Sequence, residues 1–328
     1  MASRPLPAGP KTLFITGGAG FIGSTLIERL LARGDRVVCL DDFDDFYDPA
    51  IKRRNVKNAL TSDRYRLVEG DICDLPLLQR LFAEEQVDVV VHIAARAGVR
   101  PSIVEPLLYQ KVNVEGSNNL FEVARAHAVP NFVFTSSSSV YGENEKVPFA
   151  EADPVNYPIS PYAATKRAGE LIAHTYHHLF GLNITCLRPF TVYGPRQRPE
   201  MAIHLFLRAI LDGRPIKMFG DGTSSRDYTY VDDLVDGFLG AIDRPLGYEI
   251  INLGEHEVTT LKELIDMIGA AVGKRPIIEQ LPMQPGDVPR TYADVSKAKR
   301  LLGYQPKVSM QEGIRRFVEW YLAQGARG

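Results

Sequence analysis

Three glycines spaced Gly17-x-x-Gly20-x-x-Gly23 sit between a short apolar run, Lys11–Thr16, and a helically periodic stretch, Phe21–Arg33. This feature limits the fold more than any other. Gly17 permits a tight strand-to-helix turn, Gly20 the close approach of a pyrophosphate, and Gly23 close packing of the helix on a sheet. The helix N-terminus supplies an anion site. The spacing is one residue longer than the GxGxxG fingerprint, and glycine-rich turns also arise for packing alone, so context decides. Gly34 stands where a helix C-cap belongs, and the β-branched run Arg36–Leu40 ends in Asp41. An acid roughly 20 residues beyond such a turn bonds an adenosine ribose and repels a 2′-phosphate, which favours NAD over NADP.

The rest of the first half keeps the same rhythm. Strands are expected at Tyr65–Val68, Val87–Ile93, Asn131–Thr135 and Asn183–Leu187, with helices at Leu75–Glu85, Asn113–Ala126 and Tyr162–Phe180. Alternating strands and helices with short turns predict an α/β fold built on a doubly wound parallel sheet. Beyond Arg188 proline and glycine become frequent, and the readable helices are Ala202–Leu211, Leu261–Val272 and Gln311–Ala323. The expected organisation is a disordered lead-in over 1–10, a dinucleotide-binding domain over 11–188, and a smaller substrate domain over 189–328. Late segments such as Glu249–Asn252 are expected to return to the sheet.

Composition narrows the function. The 328 residues are 45% hydrophobic and 24% charged, with a net charge of −2. That offers no basic field for nucleic acid and no polybasic patch for a membrane. No stretch approaches the roughly 20 apolar residues that span a bilayer. The three cysteines, Cys39, Cys73 and Cys186, lack CxxC spacing, which argues against disulfides and zinc and for a reducing, cytoplasmic setting. His174, His177 and His178 share a helix without a completing carboxylate or cysteine, so they read as a surface or subunit-interface patch and no metal is expected. The acidic run Asp41–Asp48 reads as a solvated loop.

The chemistry centres on Ser137, Tyr162 and Lys166. A four-residue spacing puts Tyr162 and Lys166 on one helix face, where an ammonium can favour the phenolate and make a base near neutral pH. Ser137, at the end of the preceding strand, can share the proton of a substrate hydroxyl. Asp71-Ile72 and Ala94-Ala95 follow strands at the sheet edge where such folds hold ligands. The alternative for the alanines is plain sheet packing. A nucleotide cradle with an activated tyrosine reads as a nicotinamide-dependent redox enzyme.

The stretches TGGAGFIGSTL, HIAARAGVR, SSSSVYG, SPYAATKRAGE, LRPFTVYGPRQRP and GDGTSSRDYTYVDDLVDG, in this order, make the chain resemble the extended short-chain dehydrogenase/reductase family, in its nucleotide-sugar epimerase and dehydratase branch. That resemblance implies that Gly17, Gly20, Phe21, Ile22, Gly23, Asp41, Asp71, Ile72, Ala94, Asn113, Tyr162 and Lys166 hold NAD, and that Ser137, Tyr162 and Lys166 are the catalytic triad. Ser137, Ser138, Ser139, Thr191, Phe219, Arg226, Asp287 and Arg290 are the implied UDP-sugar contacts. The dehydratases carry an Asp-Glu pair where this chain has Ser138-Ser139, so dehydration is disfavoured and reversible oxidation at C4 remains. The acidic segment after Asp41 and the GPRQRPEMA segment are similar to UDP-glucuronate 4-epimerases, in which NAD stays bound. Arg196 or Arg198 could fork the sugar carboxylate, and Arg198 is the expected one. UDP-glucose 4-epimerase, UDP-glucuronate decarboxylase and a non-catalytic nucleotide-binding protein are the alternatives, and a homodimer through the Tyr162 helix is the family expectation.

Overall fold

The structure is a computed structural model describing residues 4–282 and 289–325. Its centre is a seven-stranded sheet in the order Tyr248–Leu253, Ile184–Pro189, Asn131–Thr135, Val89–His92, Thr12–Thr16, Arg36–Asp41, Tyr65–Glu69. All its neighbouring strands are parallel. The chain winds outward from Thr12–Thr16 to one edge, returns to Val89–His92, and winds to the other. The direction therefore reverses between these two strands, which opens a crevice at their carboxyl ends.

The strands are apolar on both faces because both are covered. One face packs against helix Phe21–Arg33 and helix Val231–Asp243, and the other against Leu75–Glu84, Ser117–Ala126 and Pro161–Phe180. Helix Phe21–Arg33 ends at Gly34, whose φ of 96° is left-handed, as a glycine C-cap requires. Helix Pro161–Phe180 starts on Ser160, whose hydroxyl accepts from the Ala163 N–H at 3.1 Å, with proline in the first turn. Lys111–Gly116 is wound as a π-turn rather than an α-helical start, so the helix expected from Asn113 becomes regular only at Ser117.

The C-terminal part holds helices Ala202–Leu211, Leu261–Val272 and Met310–Gly325 and three two-stranded sheets. Strand Tyr248–Leu253 of this part pairs with Ile184–Pro189 and completes the main sheet. The lead-in expected to be disordered is held from residue 4 onward. Arg4 pairs with Asp88 at 2.7 Å, and Leu6 packs on the core. The guanidinium finds a carboxylate at the start of a sheet strand, which the proline content did not reveal.

Gly169 sets how close the Pro161–Phe180 helix lies to the sheet, since a Cβ there would stand 2.3 Å from Phe134 Cζ. Gly169→Ala should cost about 1–3 kcal/mol, seen as a lower urea midpoint. An unchanged midpoint would show that the helix lifts freely from the strand.

Candidate active site

The glycine turn is built from backbone. The Gly17 N–H donates to Leu40 O at 2.9 Å, and Gly20 N–H to Gly17 O at 3.2 Å. Gly17 has φ 70°, and a Cβ there would meet Ala94 N at 2.6 Å. At Gly23 it would meet Gly17 O at 2.4 Å. Helix Phe21–Arg33 has no acidic residue in its first turn, so its positive end faces the crevice uncompensated. Asp41 is 5% exposed and accepts from Ala19 N–H at 2.9 Å and Phe43 N–H at 3.0 Å. The carboxylate thereby ties the second strand to the glycine turn while keeping lone pairs for a ribose. Burial pushes its pKa up, against the pull of Lys52.

A cavity of about 630 Å³ opens over this turn and runs across the sheet's carboxyl edge. Gly17, Gly20, Phe21, Ile22, Gly23, Asp41, Asp71, Ile72 and Ala94 line one part, and Tyr162, Lys166, Ser137, Ser138, Ser139, Thr191, Arg198 and Arg226 line another. Asn113 lies behind the wall. Its side chain accepts from Arg96 N–H at 2.8 Å and donates to Arg96 O and Thr165 Oγ1, both at 3.0 Å. The π-turn that carries it lets one amide clamp the wall segment to the Tyr162 helix.

Three expected contacts lie elsewhere. Arg196 is off the cavity lining and pairs with Glu28 of the glycine-turn helix at 2.6 Å. Phe219 is off the lining too, with the Arg100 guanidinium 5.5 Å above its ring. Arg290 is exposed and lies 5.5 Å over Tyr292, while its neighbour Thr291 reaches the cavity. Asp287 lies outside the described residues.

Residues absent from the sequence reading complete the wall. The run Asp41–Asp48 is not a free solvated loop. Phe43 is buried, and Asp44, Phe46 and Tyr47 line the cavity, with Asp44 paired to Arg96 at 2.5 Å. The aromatics interleaved with the acids were the available signal, since a solvated loop has no use for three of them. Glu170, four residues after Lys166, was also missed. It is fully buried, accepting from Ser136 Oγ at 2.6 Å and from Arg188 at 2.7 and 2.8 Å. Burial pushes its carboxyl up, but the bonds from Arg188, Ser136 and Arg167 hold it below the ordinary value.

Around the triad, Lys166 Nζ donates to Thr135 O at 2.7 Å, and Ser137 Oγ accepts from Ser139 N–H at 3.1 Å. The ammonium expected to favour the phenolate is not the group that acts most strongly on Tyr162 in this structure. Burial raises Tyr162, opposed by its hydrogen bond with Ser137 and the charge of Arg198. Burial also pulls Lys166 down to about 7, with Glu170 opposing. The shared helix face is real, but the dry walls of the site weaken both ions before any ligand arrives. The arrangement can bind a long dianionic ligand, take a proton from a hydroxyl at Tyr162, and meet an anion with Arg198.

The model of the family described as NAD dependent epimerase/dehydratase matches residues 13–254. UDP-glucuronate 4-epimerase of Thermodesulfobacterium geofontis is 42% identical over 93% of this chain and 94% of its own. UDP-glucuronate 4-epimerase 2 of Arabidopsis thaliana is 44% identical over 97% of this chain and 77% of its own. The crystal structure of a Bacillus cereus UDP-glucuronic acid 4-epimerase, in complex with UDP-glucuronic acid and NAD, superposes with a TM-score of 0.90 at 36% identity, covering 95% of this chain and 99% of that one.

The depressed Lys166 predicts a pH dependence of stability. Its folded pKa of about 7 lies below the ordinary 10.5, so the unfolded chain binds more protons between these values and stability rises with pH there. Without ligands, Lys166→Met should be more stable than wild type below about pH 7, with the gap closing toward pH 10 in urea titrations. A pH-independent gap would show that the lysine is not desolvated.

Proposed function

The chain belongs to the NAD dependent epimerase/dehydratase family, and from that premise we propose that it interconverts UDP-glucuronate and UDP-galacturonate at C4. The observation that carries the reading is one cavity holding the glycine cradle, Ser137, Tyr162, Lys166 and a guanidinium, Arg198. The cradle fits NAD, because Gly17 and Gly23 close the turn so tightly that a Cβ at either would meet backbone, and its anion end is uncompensated. Asp41 at the ribose end favours NAD over its 2′-phosphate.

The chemistry supplied by bound NAD is reversible two-electron oxidation at C4. Tyr162 takes the proton of the 4-hydroxyl, Ser137 shares it by hydrogen bond, and Lys166, anchored on Thr135 O, holds its charge beside them. The 4-keto sugar then turns over within the cavity to present its other face, and Tyr162 returns the proton to the 4-oxygen. Ser138 and Ser139 bring no carboxylate to this wall, so elimination of water has no acid/base pair.

Oxidation places the new ketone β to the sugar carboxylate, where carbon dioxide can leave. Loss of carbon dioxide spreads the carboxylate's charge into an enolate, so a guanidinium bound to the carboxylate stabilises the starting anion more than that transition state. Arg198 lines the cavity and Arg196 does not, which favours Arg198 for this role. Its Nε pairs with Glu200 at 2.9 Å, and a guanidinium carries two further nitrogens that can make a two-pronged contact.

Proton NMR of the protein with UDP-glucuronate should show UDP-galacturonate without added reductant. UDP-galactose from UDP-glucose, with UDP-glucuronate inert, would move the assignment to the neutral sugar. Tyr162→Phe should lower kcat by about 10²–10⁴, and Arg198→Ala should raise KM for UDP-glucuronate while raising the share of decarboxylated product. Wild-type turnover by Tyr162→Phe would sink the mechanism.

Two further parts belong to the same proposal. We propose a cytoplasmic enzyme, a reading that its three free cysteines support through their fit to a reducing setting. It is a homodimer through the Tyr162 helix. Leu171, Leu179 and Phe180 are exposed on that helix, and Ile103, Val104 and Leu107 on the segment before the π-turn. Static light scattering should give twice the chain mass, and Leu179→Asp with Phe180→Asp should shift it to the monomer. A monomeric wild type would overturn this part alone.

A further inference from the structure

Arg196 and Arg198 stand two residues apart, yet the chain turns them to opposite sides of one wall. The turn begins at Gly194, with φ 137°, where a Cβ would meet Val231 Cγ1 at 2.7 Å. Arg196 is itself left-handed, with φ 71°, and its guanidinium runs outward to Glu28 Oε1 at 2.6 Å on the helix that follows the glycine turn. Gln197 lies between the arginines, 2% exposed, its N–H on Gly194 O at 3.0 Å and its amide on Val192 O at 3.1 Å. Arg198 then faces inward, 5.8 Å from the Phe46 ring and paired with Glu200.

We propose that Glu28, acting through Arg196, is a positioning residue for Arg198 and so for discrimination of the acidic sugar. This rests on the assignment of Arg198 to the sugar carboxylate. A non-glycine residue stays in the left-handed region only where its surroundings hold it. For Arg196 the ion pair with Glu28 does so from one side and buried Gln197 from the other. Arg196 Nη1 is already buried with no hydrogen-bond partner among the described residues, so losing Glu28 deprives the group of an acceptor it lacks elsewhere. The turn can then relax, and the inward guanidinium moves with it. Neither Glu28 nor Arg196 lines the cavity, so their effect on a ligand passes through the turn. One helix thus offers its N-terminus to the cofactor's phosphates and anchors the loop that meets the sugar substrate.

The test is titration calorimetry on the full chain, with UDP-glucuronate and UDP as separate probes. The proteins are wild type, Glu28→Gln, Arg196→Met, the double variant and Arg198→Ala. NAD content is followed by absorbance of the denatured supernatant. Each single variant should weaken UDP-glucuronate by about fivefold, leave UDP and NAD content unchanged, and be no worse when combined. In turnover the same variants should raise KM for UDP-glucuronate more than they lower kcat. Unchanged UDP-glucuronate binding in both single variants overturns the proposal. So do losses that add in the double variant, because they would mean the two residues do not act as one unit. Equal weakening of UDP, or loss of NAD, overturns it as well, since it would mark a general disturbance of the helix. If Arg198→Ala binds UDP-glucuronate as wild type does, the carboxylate assignment itself fails, and that result is distinct from the other three.

Discussion

The active-site geometry depends on the buried pair of Glu170 and Arg188. Both are essentially without solvent contact, and the carboxylate takes two bonds from Arg188 and one each from Ser136 and Arg167. A pair so dry adds little net stability when complete but leaves about 3–5 kcal/mol of damage when one partner is removed. Its value here is positional. Glu170 belongs to the helix of Tyr162 and Lys166, Ser136 precedes Ser137, and Arg188 lies in the neighbouring strand. One carboxylate therefore sets the separation between the serine on its strand and the tyrosine on its helix. Lys166 on Thr135 O adds a second tie between the same elements.

The cofactor end is assembled differently, from backbone and absence. Gly17 and Gly23 bring the turn into contact distances that any Cβ would break. Asp41 and Asn113 then spend their polar groups on main chain, one fixing the glycine turn and the other the Arg96 segment. Rigid backbone on both sides of the sheet's reversal leaves the helix N-terminus as the unsatisfied feature, and that is what an anion meets.

Much of this was legible in the chain. Helices Phe21–Arg33, Ala202–Leu211 and Leu261–Val272 and strand Asn131–Thr135 fall where periodicity and caps put them, because local signals and tertiary packing agree there. Helix Val231–Asp243 was missed. It carries Gly237 and Gly240, poor helix formers, kept because a Cβ would meet Leu253 at 2.7 Å and Leu302 O at 2.8 Å. The π-turn at Lys111–Gly116 was invisible, and the inward course of Asp41–Asp48 was signalled only by its aromatics, for a related reason. Both are set by partners distant in sequence, Arg96 for each. The outward course of Arg196 was equally hidden, since alternation along two residues cannot say that a left-handed turn separates them.

The phenol shows why spacing alone does not make a base. In this structure Lys166 is drained by burial and occupied by Thr135 O, and the groups that pull Tyr162 down are Ser137 and Arg198. A carboxylate seated on Arg198 would cancel part of that charge at the moment the base is needed. An enzyme for an acidic sugar must therefore lean more on Ser137 and on the ammonium of Lys166. Glu170 raises that ammonium's pKa against burial, so the carboxylate that fixes the geometry also opposes loss of the neighbouring charge. Lys166 and Glu170, four positions apart, are in that sense a second helical pair stacked on the first, and the phenolate depends on both.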